Sequence, residues 1–203
     1  MILQTIERYY RFHAGIYDAT RWSFLFGRPE LIQEAISHFV PSHILEIGCG
    51  TGKNLTQLAQ HLPQARLVGL DLSEDMLEQA QKNLAAYSSR IELLHRTYDR
   101  PLTADSAFDL IVFSYSLSMM PKDWEHVIKY ARQDLKPGGL IAVVDFHDSN
   151  FGWFKRWMSM NHVRMDGHLL SGLQSSFRSL SLEVNHAYGG LWSYFLFIGQ
   201  TEM

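Results

Sequence analysis

Three glycines at alternate positions, Gly48, Gly50 and Gly52, lie between two acidic residues, Glu46 and Asp71. Glycines in such a turn let the backbone approach a ligand closely and adopt positive φ. The acids then set the ligand's charge. A buried carboxylate repels a pyrophosphate but favours an ammonium or a sulfonium beside it. Asp71 stands nineteen residues after Gly52, where an acid ending the next strand receives two ribose hydroxyls. The dinucleotide fingerprint places its third glycine five residues after the first; here that position is Lys53. The pattern suits a nucleoside that carries positive charge rather than a diphosphate.

Regular elements must hold that turn. His43–Ile47 reads as a short apolar strand entering it, and Leu55, Leu58, Ala59 and Leu62 mark a helix leaving it. Arg66–Leu70 is a second strand closing on Asp71. Ser73 caps the next helix, with Glu74 and Asp75 in its first turn and Met76, Leu77, Ala80 and Leu84 on its inner face. Ile91–Leu94 and Phe108–Ser114 are the third and fourth strands. Trp124, Val127, Ile128, Ala131 and Leu135 predict a helix stopped by Pro137-Gly138-Gly139, and Leu140–Phe146 a fifth, continuously apolar strand. Upstream, Pro29 opens a helix with apolar residues at 31, 32, 35, 36 and 39. Five apolar strands separated by helices mean a parallel sheet covered on both faces. In the tail, Leu180, Leu182 and Val184 alternate with polar residues and Tyr194–Ile198 is strongly β-prone. These two segments predict an antiparallel hairpin at the sheet edge.

Composition excludes several classes. The 203 residues amount to about one domain. A net charge of −3 offers no basic field for nucleic acid. The single cysteine, Cys49, excludes an internal disulfide framework and a multi-thiolate zinc site, and is read as a small buried filler. The ten histidines show no metal-ligand spacing with carboxylate support, so no metal is expected. The longest stretch free of charge, Val184–Thr201, is broken by Asn185, His186, Gly189, Gly190 and Ser193, and does not read as a membrane span. No signal peptide is visible, and a cytoplasmic enzyme or binding protein is expected.

The segment Ile44-Leu45-Glu46-Ile47-Gly48-Cys49-Gly50-Thr51-Gly52, with Asp71, Phe108-Asp109-Leu110-Ile111-Val112 and Leu135-Lys136-Pro137-Gly138-Gly139, resembles the class I S-adenosylmethionine-dependent methyltransferases over residues 40–146. That resemblance implies a Rossmann-like methyltransferase three-layer sandwich. Its mostly parallel seven-stranded sheet would end in the C-terminal antiparallel hairpin. It also implies S-adenosyl-L-methionine as cofactor and S-adenosyl-L-homocysteine as product. Gly48, Gly50 and Gly52 would line the amino acid portion. Glu46 would orient its amino group, directly or through water. Asp71 would bind the ribose, Leu72 and Met76 would flank the adenine, and Ser114 would join the set. The family often has Gly-Asp-Ala after the third strand; here Arg96-Thr97-Tyr98 stands there. Thr97 supplies no carboxylate, which leaves the backbone NH of Tyr98.

The N-terminal stretch holds a Tyr17-Asp18-Ala19-Thr20-Arg21 element followed by Leu25-Phe26-Gly27-Arg28. With Trp153-Phe154-Lys155-Arg156-Trp157 and Asn161-His162-Val163-Arg164, it resembles the bacterial betaine-lipid (diacylglyceryl-homoserine) N-methyltransferases. This implies an amine acceptor, a lipid headgroup or a small molecule, and a chain organised as one domain. Residues 1–28 would cap the acceptor site, residues 40–146 bind the cofactor, and residues 147–203 form a lid region and the hairpin.

Methylating an amine requires the neutral nitrogen and a place for a growing cation. Tyr9, Tyr10, Tyr17, Trp22 and Tyr115 are candidate aromatic faces, and core packing is the alternative for each. His147 is a candidate base; otherwise it is a loop histidine bound to a carbonyl. Tyr17 and Arg28 would alternatively bind the cofactor carboxylate. Residues 151–165 mix aromatic and basic side chains, as either a peripheral membrane contact or a lid. Three readings follow: an aminolipid N-methyltransferase, a methyltransferase for a soluble small molecule, or a catalytically silent cofactor-binding partner protein.

Overall fold

A computed structural model describes residues 24–103, 107–120, 124–161 and 163–202. Helix α1 spans Arg28–His38 and leads into strand β1, His43–Ile47. Helix α2 (Lys53–His61), strand β2 (Arg66–Asp71) and helix α3 (Glu74–Asn83) follow. A 3-10 turn at Ala85–Arg90 enters β3, Ile91–His95. Strand β4 (Phe108–Ser114), a short turn at Leu117–Met119 and helix α4 (Trp124–Asp134) precede β5, Leu135–Phe146. Helices α5 (Gly152–Met160) and α6 (His168–Ser176) lead to β6 (Arg178–Ala187) and β7 (Trp192–Gln200).

The strands form one seven-stranded sheet in the order β3-β2-β1-β4-β5-β7-β6. The first five run parallel, while β7 is antiparallel to both β5 and β6. Alternate residues explain the two covered faces. Ile44, Leu67, Leu110, Leu140 and Val144 pack with Leu31 of α1 and Leu55 and Leu58 of α2. Leu45, Ile47, Ile111, Phe113 and Val143 pack with Val127 and Ile128 of α4 and Leu169 and Leu173 of α6. Burial on both sides requires continuous apolar runs, and Leu110–Phe113 of β4 and Leu140–Val144 of β5 supply them.

Strand β5 starts earlier than its apolar run. Phe108 pairs with Leu135, the register then shifts, and Leu110 pairs with Leu140. The residues between them bulge, with Gly138 at φ 74°. A bulge is one of the few places where a sheet admits proline, here Pro137. Thr201 closes it, donating its N–H to Gly139 O at 3.0 Å and its hydroxyl to Lys136 O at 2.8 Å.

Strand order reverses between β1 and β4, each flanked by sheet on its other side. In open α/β sheets the crevice outside the carboxyl ends of such strands is where ligands bind.

Candidate active site

The glycine turn sits in that crevice. Gly48 and Cys49 donate their N–H groups to Leu70 O at 2.8 and 3.0 Å, which pins the turn to the end of β2. Two of the glycines have different reasons to be glycine. At Gly48, φ is +75° and a Cβ would stand 2.6 Å from Ser116 Cβ. The side chain of Ser116 is itself fixed, donating to Ile47 O at 2.7 Å. At Gly50, φ is +54° and a Cβ would meet nothing within 4 Å. That open side is the cradle.

Glu46 lies fully buried at the end of β1, on the α1/α2 side of the sheet. Its Oε1 accepts a 2.7 Å hydrogen bond from Asn54 Nδ2, and its Oε2 has no partner. Burial pushes its carboxyl up to about 7, against the opposing pull of Arg28 and Asn54. A buried carboxylate with a spare oxygen is costly unless something positive arrives. Arg28, opening α1, donates from Nε to Ser114 Oγ at 2.8 Å and so joins α1 to the end of β4.

Asp71 bridges two loops. Its Oδ2 accepts from Gly50 N at 2.8 Å and its Oδ1 from Ser73 N at 2.9 Å. Burial raises its pKa, while the bonds from Ser73, Gly50 and Leu72 oppose the rise. A carboxylate has about four lone-pair directions, so these three bonds leave one open for a hydroxyl. Leu72 follows half-buried, with its carbonyl 2.9 Å from His95 Nε2. Met76 is buried in the first turn of α3, where Ser73 caps its N–H. Arg96 N donates to Asp71 O at 3.2 Å, which brings Thr97 and Tyr98 alongside. The side chain of Tyr98 points elsewhere: it donates to Asp134 Oδ2 at 2.6 Å and strengthens the core under α4.

Tyr115 continues β4 with φ +55°, sparsely populated for an aromatic residue. Its ring is buried edge-on to Phe146 at 4.7 Å, and its hydroxyl donates to Phe26 O at 2.8 Å. His147 lies on the opposite side of the sheet from Glu46, edge-on to Phe195, with its Nδ1 buried and unpartnered. The structure therefore does not bring His147 together with Glu46. Tyr9, Tyr10, Tyr17 and Trp22, most of the expected 1–28 cap, lie outside the described residues. Cys49 is buried and free, with its thiol pushed well up by burial. Among the described residues no group of three His, Cys, Asp or Glu side chains could hold a metal ion.

Sequence reasoning missed two features. Asn54, the partner of Glu46, carries a signal: a polar residue on the buried face of α2. The second is an aromatic cluster around Trp192, at the start of β7. Phe24, Phe26, Phe146 and Tyr194 surround it at centroid distances of 5.2–6.4 Å. Its buried indole N–H has no partner. Nothing local marks that cluster, because three distant segments build it.

The fold is the Rossmann-like methyltransferase fold, which binds S-adenosylmethionine. Residues 44–139 match the methyltransferase domain family. A demethylmenaquinone methyltransferase of Desulfitobacterium hafniense (strain Y51) is 32% identical over 143 residues, covering 68% of this chain and 56% of that protein. A malonyl-[acyl-carrier protein] O-methyltransferase of Dechloromonas aromatica (strain RCB) is 32% identical over 120 residues, covering 59% of this chain and 42% of that protein. The chain thus spans about half the length of the curated relatives it matches. Among solved structures, the N-methyltransferase NodS from Bradyrhizobium japonicum WM9, bound to S-adenosyl-L-homocysteine, superposes with a TM-score of 0.78 over 98% of both chains at 20% identity.

The residues present fit S-adenosylmethionine. Glu46 Oε2 would take the ammonium, Asp71 the ribose hydroxyls, and the open side of Gly50 the amino acid portion. This makes binding pH-dependent. A cation favours ionised Glu46, and the free carboxyl titrates near 7. Affinity is expected to fall about eightfold from pH 7.5 to 6. Calorimetric titrations giving one dissociation constant at both pH values would refute the assignment. Asp71→Ala should weaken binding by about 2–3 kcal/mol through lost charge-assisted hydrogen bonds; unchanged calorimetric affinity would contradict that role.

Proposed function

We propose that the chain is an S-adenosylmethionine-dependent methyltransferase acting on an amine, with diacylglyceryl-homoserine or a related aminolipid headgroup as the favoured acceptor. The observation that carries the methyltransferase reading is the unpartnered oxygen of buried Glu46 beneath the glycine turn. When bound, the cofactor supplies an electrophilic methyl group on a sulfonium.

The chain's own contribution is binding, orientation and exclusion of water. In-line alignment supplies about 7–11 kcal/mol, so the transfer needs no covalent residue. Glu46, Arg28 and Asp71 hold the donor side. For the acceptor, an alkylamine of pKa about 10.4 must lose its proton at a cost of roughly 4–5 kcal/mol at pH 7. Burial among aromatic rings disfavours the ammonium and so offsets part of this cost. The cluster of Phe24, Phe26, Phe146, Trp192 and Tyr194 supplies rings near the strand ends that hold Arg28 and Ser114. Aromatic faces also stabilise a methylated cation, at about 0.5–2 kcal/mol each. The similarity to an N-methyltransferase over nearly the whole chain supports the amine reading.

The relatives named for demethylmenaquinone favour a second reading, a quinone-type acceptor beside the same aromatic cluster. Incubation with radiolabelled S-adenosylmethionine and each acceptor decides between them. Label on the amine headgroup is the expected result. Label on the quinone alone, or on a soluble amine alone, overturns the aminolipid acceptor, and label on none overturns the enzyme reading.

A further inference from the structure

Nine large apolar side chains are exposed among the described residues, and six of them gather at the end of the molecule where β5 stops and β7 begins. Helix α5 accounts for half of those six. It buries Phe154 and Met158 inward, one helical turn apart. A second apolar stripe faces outward: Trp153 at 64% exposure, Trp157 at 42% and Met160 at 69%, spaced i, i+4, i+7. A helix packed on one side does not need a second such stripe for its fold. The stripe continues beyond the helix. Phe24 stands 6.3 Å from the Trp157 ring and 6.3 Å from that of exposed Tyr188. Exposed Phe26 lies 5.8 Å from Tyr188. A contiguous exposed apolar surface of this kind marks an interaction site.

Charge selects the occupant. Residues 151–165 hold Lys155, Arg156 and Arg164 and no acidic residue. Lys155 pairs with Asp148, and Arg164 with Asp166 at 2.7 Å. Arg156 projects exposed beside Trp153 and Met160 on the outer face. Tryptophan and tyrosine settle at the boundary between acyl chains and headgroups, and long basic side chains reach phosphates from there. We propose that the outer face of α5, with Phe26 and Tyr188, docks the protein on an anionic lipid surface. This deepens the aminolipid reading and rests on it for the substrate presented, while the surface itself stands on separate observations. No described helix is long and apolar enough to cross a membrane.

The test uses the full chain without cofactor, sedimented with phosphatidylglycerol-rich vesicles and with pure phosphatidylcholine vesicles. Partitioning onto the anionic vesicles is expected to be at least about tenfold stronger, with a blue shift of tryptophan emission. A Trp153→Ala/Trp157→Ala variant, its fold checked by circular dichroism, should lose at least about tenfold of that binding. Arg156→Gln should lose less. Failure to bind anionic vesicles, or equal binding by the double variant, overturns the proposal. So does a wild-type dimer, seen by sedimentation velocity, that the double variant abolishes while vesicles go unbound. Because no turnover is measured, the outcome is independent of the acceptor: vesicle binding together with methylation of soluble amines alone would sustain the surface and refute the lipid acceptor.

Discussion

Glu46→Gln is expected to weaken S-adenosylmethionine binding about 10–150-fold, the loss of one charged hydrogen bond, while raising the melting temperature of the ligand-free protein. The two effects share one cause. The Glu46 carboxyl sits near 7 in the folded chain against 4.5 ordinarily, because burial penalises its charge. The folded state therefore holds the proton more tightly than the unfolded one. Stability from this group is full below pH 4.5 and is lost as pH rises through 7. Ionised Glu46 then costs on the order of 3 kcal/mol at pH 8. Glutamine removes the charge, and its amide oxygen can still accept from Asn54. For a chain of this size the gain corresponds to about 5–10 °C at pH 8 and close to nothing at pH 4.5. Calorimetry at the two pH values, with and without ligand, measures both effects. A variant that binds as well as wild type would show that Glu46 does not face the ammonium.

Gly48→Ala and Gly50→Ala should fail in different ways, though both residues have positive φ and sit two positions apart. At Gly48 the new methyl would meet Ser116 Cβ at 2.6 Å, and Ser116 cannot swing aside without releasing Ile47 O. Left-handed strain and overpacking together cost about 2–4 kcal/mol, so melting should fall by roughly 5–15 °C. At Gly50 the methyl enters open space, and only the backbone cost of about 1 kcal/mol applies. Its methyl would nevertheless occupy the side from which a ligand approaches, so affinity should drop at least about tenfold. Thermal melts and titrations separate the two. Normal affinity in Gly50→Ala would place the ligand elsewhere.

Much of this arrangement was readable from residues alone, for a physical reason. Strands β1 and β4 are buried on both faces, so Ile44, Leu45 and Ile47 and the run Leu110–Phe113 mark them. The turn needed glycines, and the acids had to flank it. The start of β5 was hidden because Pro137-Gly138-Gly139 reads as a stop and is instead a bulge pinned by Thr201, just beyond the end of β7. Tyr98 reads as a cofactor neighbour through its backbone N–H alone; that its side chain reaches Asp134, thirty-six positions away, has no local signal. The ring cluster at Trp192 joins residues 24–26, 146 and 192–194, and no local pattern announces a contact of that separation. His147 followed the apolar strand as expected, but strand alternation turned it to the far side from Glu46.

The insertion of β7 between β5 and β6 has a consequence during synthesis. Strand β5 is almost wholly apolar from Leu140 to Phe146, and its free edge is covered only by the last strand of the sheet. While a ribosome is still making residues 147–191, the nascent chain presents that sticky edge with nothing to pair it. Helices α1 to α4 can settle on the first five strands in that interval, but the sheet stays open on one side until Trp192–Gln200 has emerged. Chaperone demand should therefore be concentrated in the interval between the emergence of β5 and that of β7.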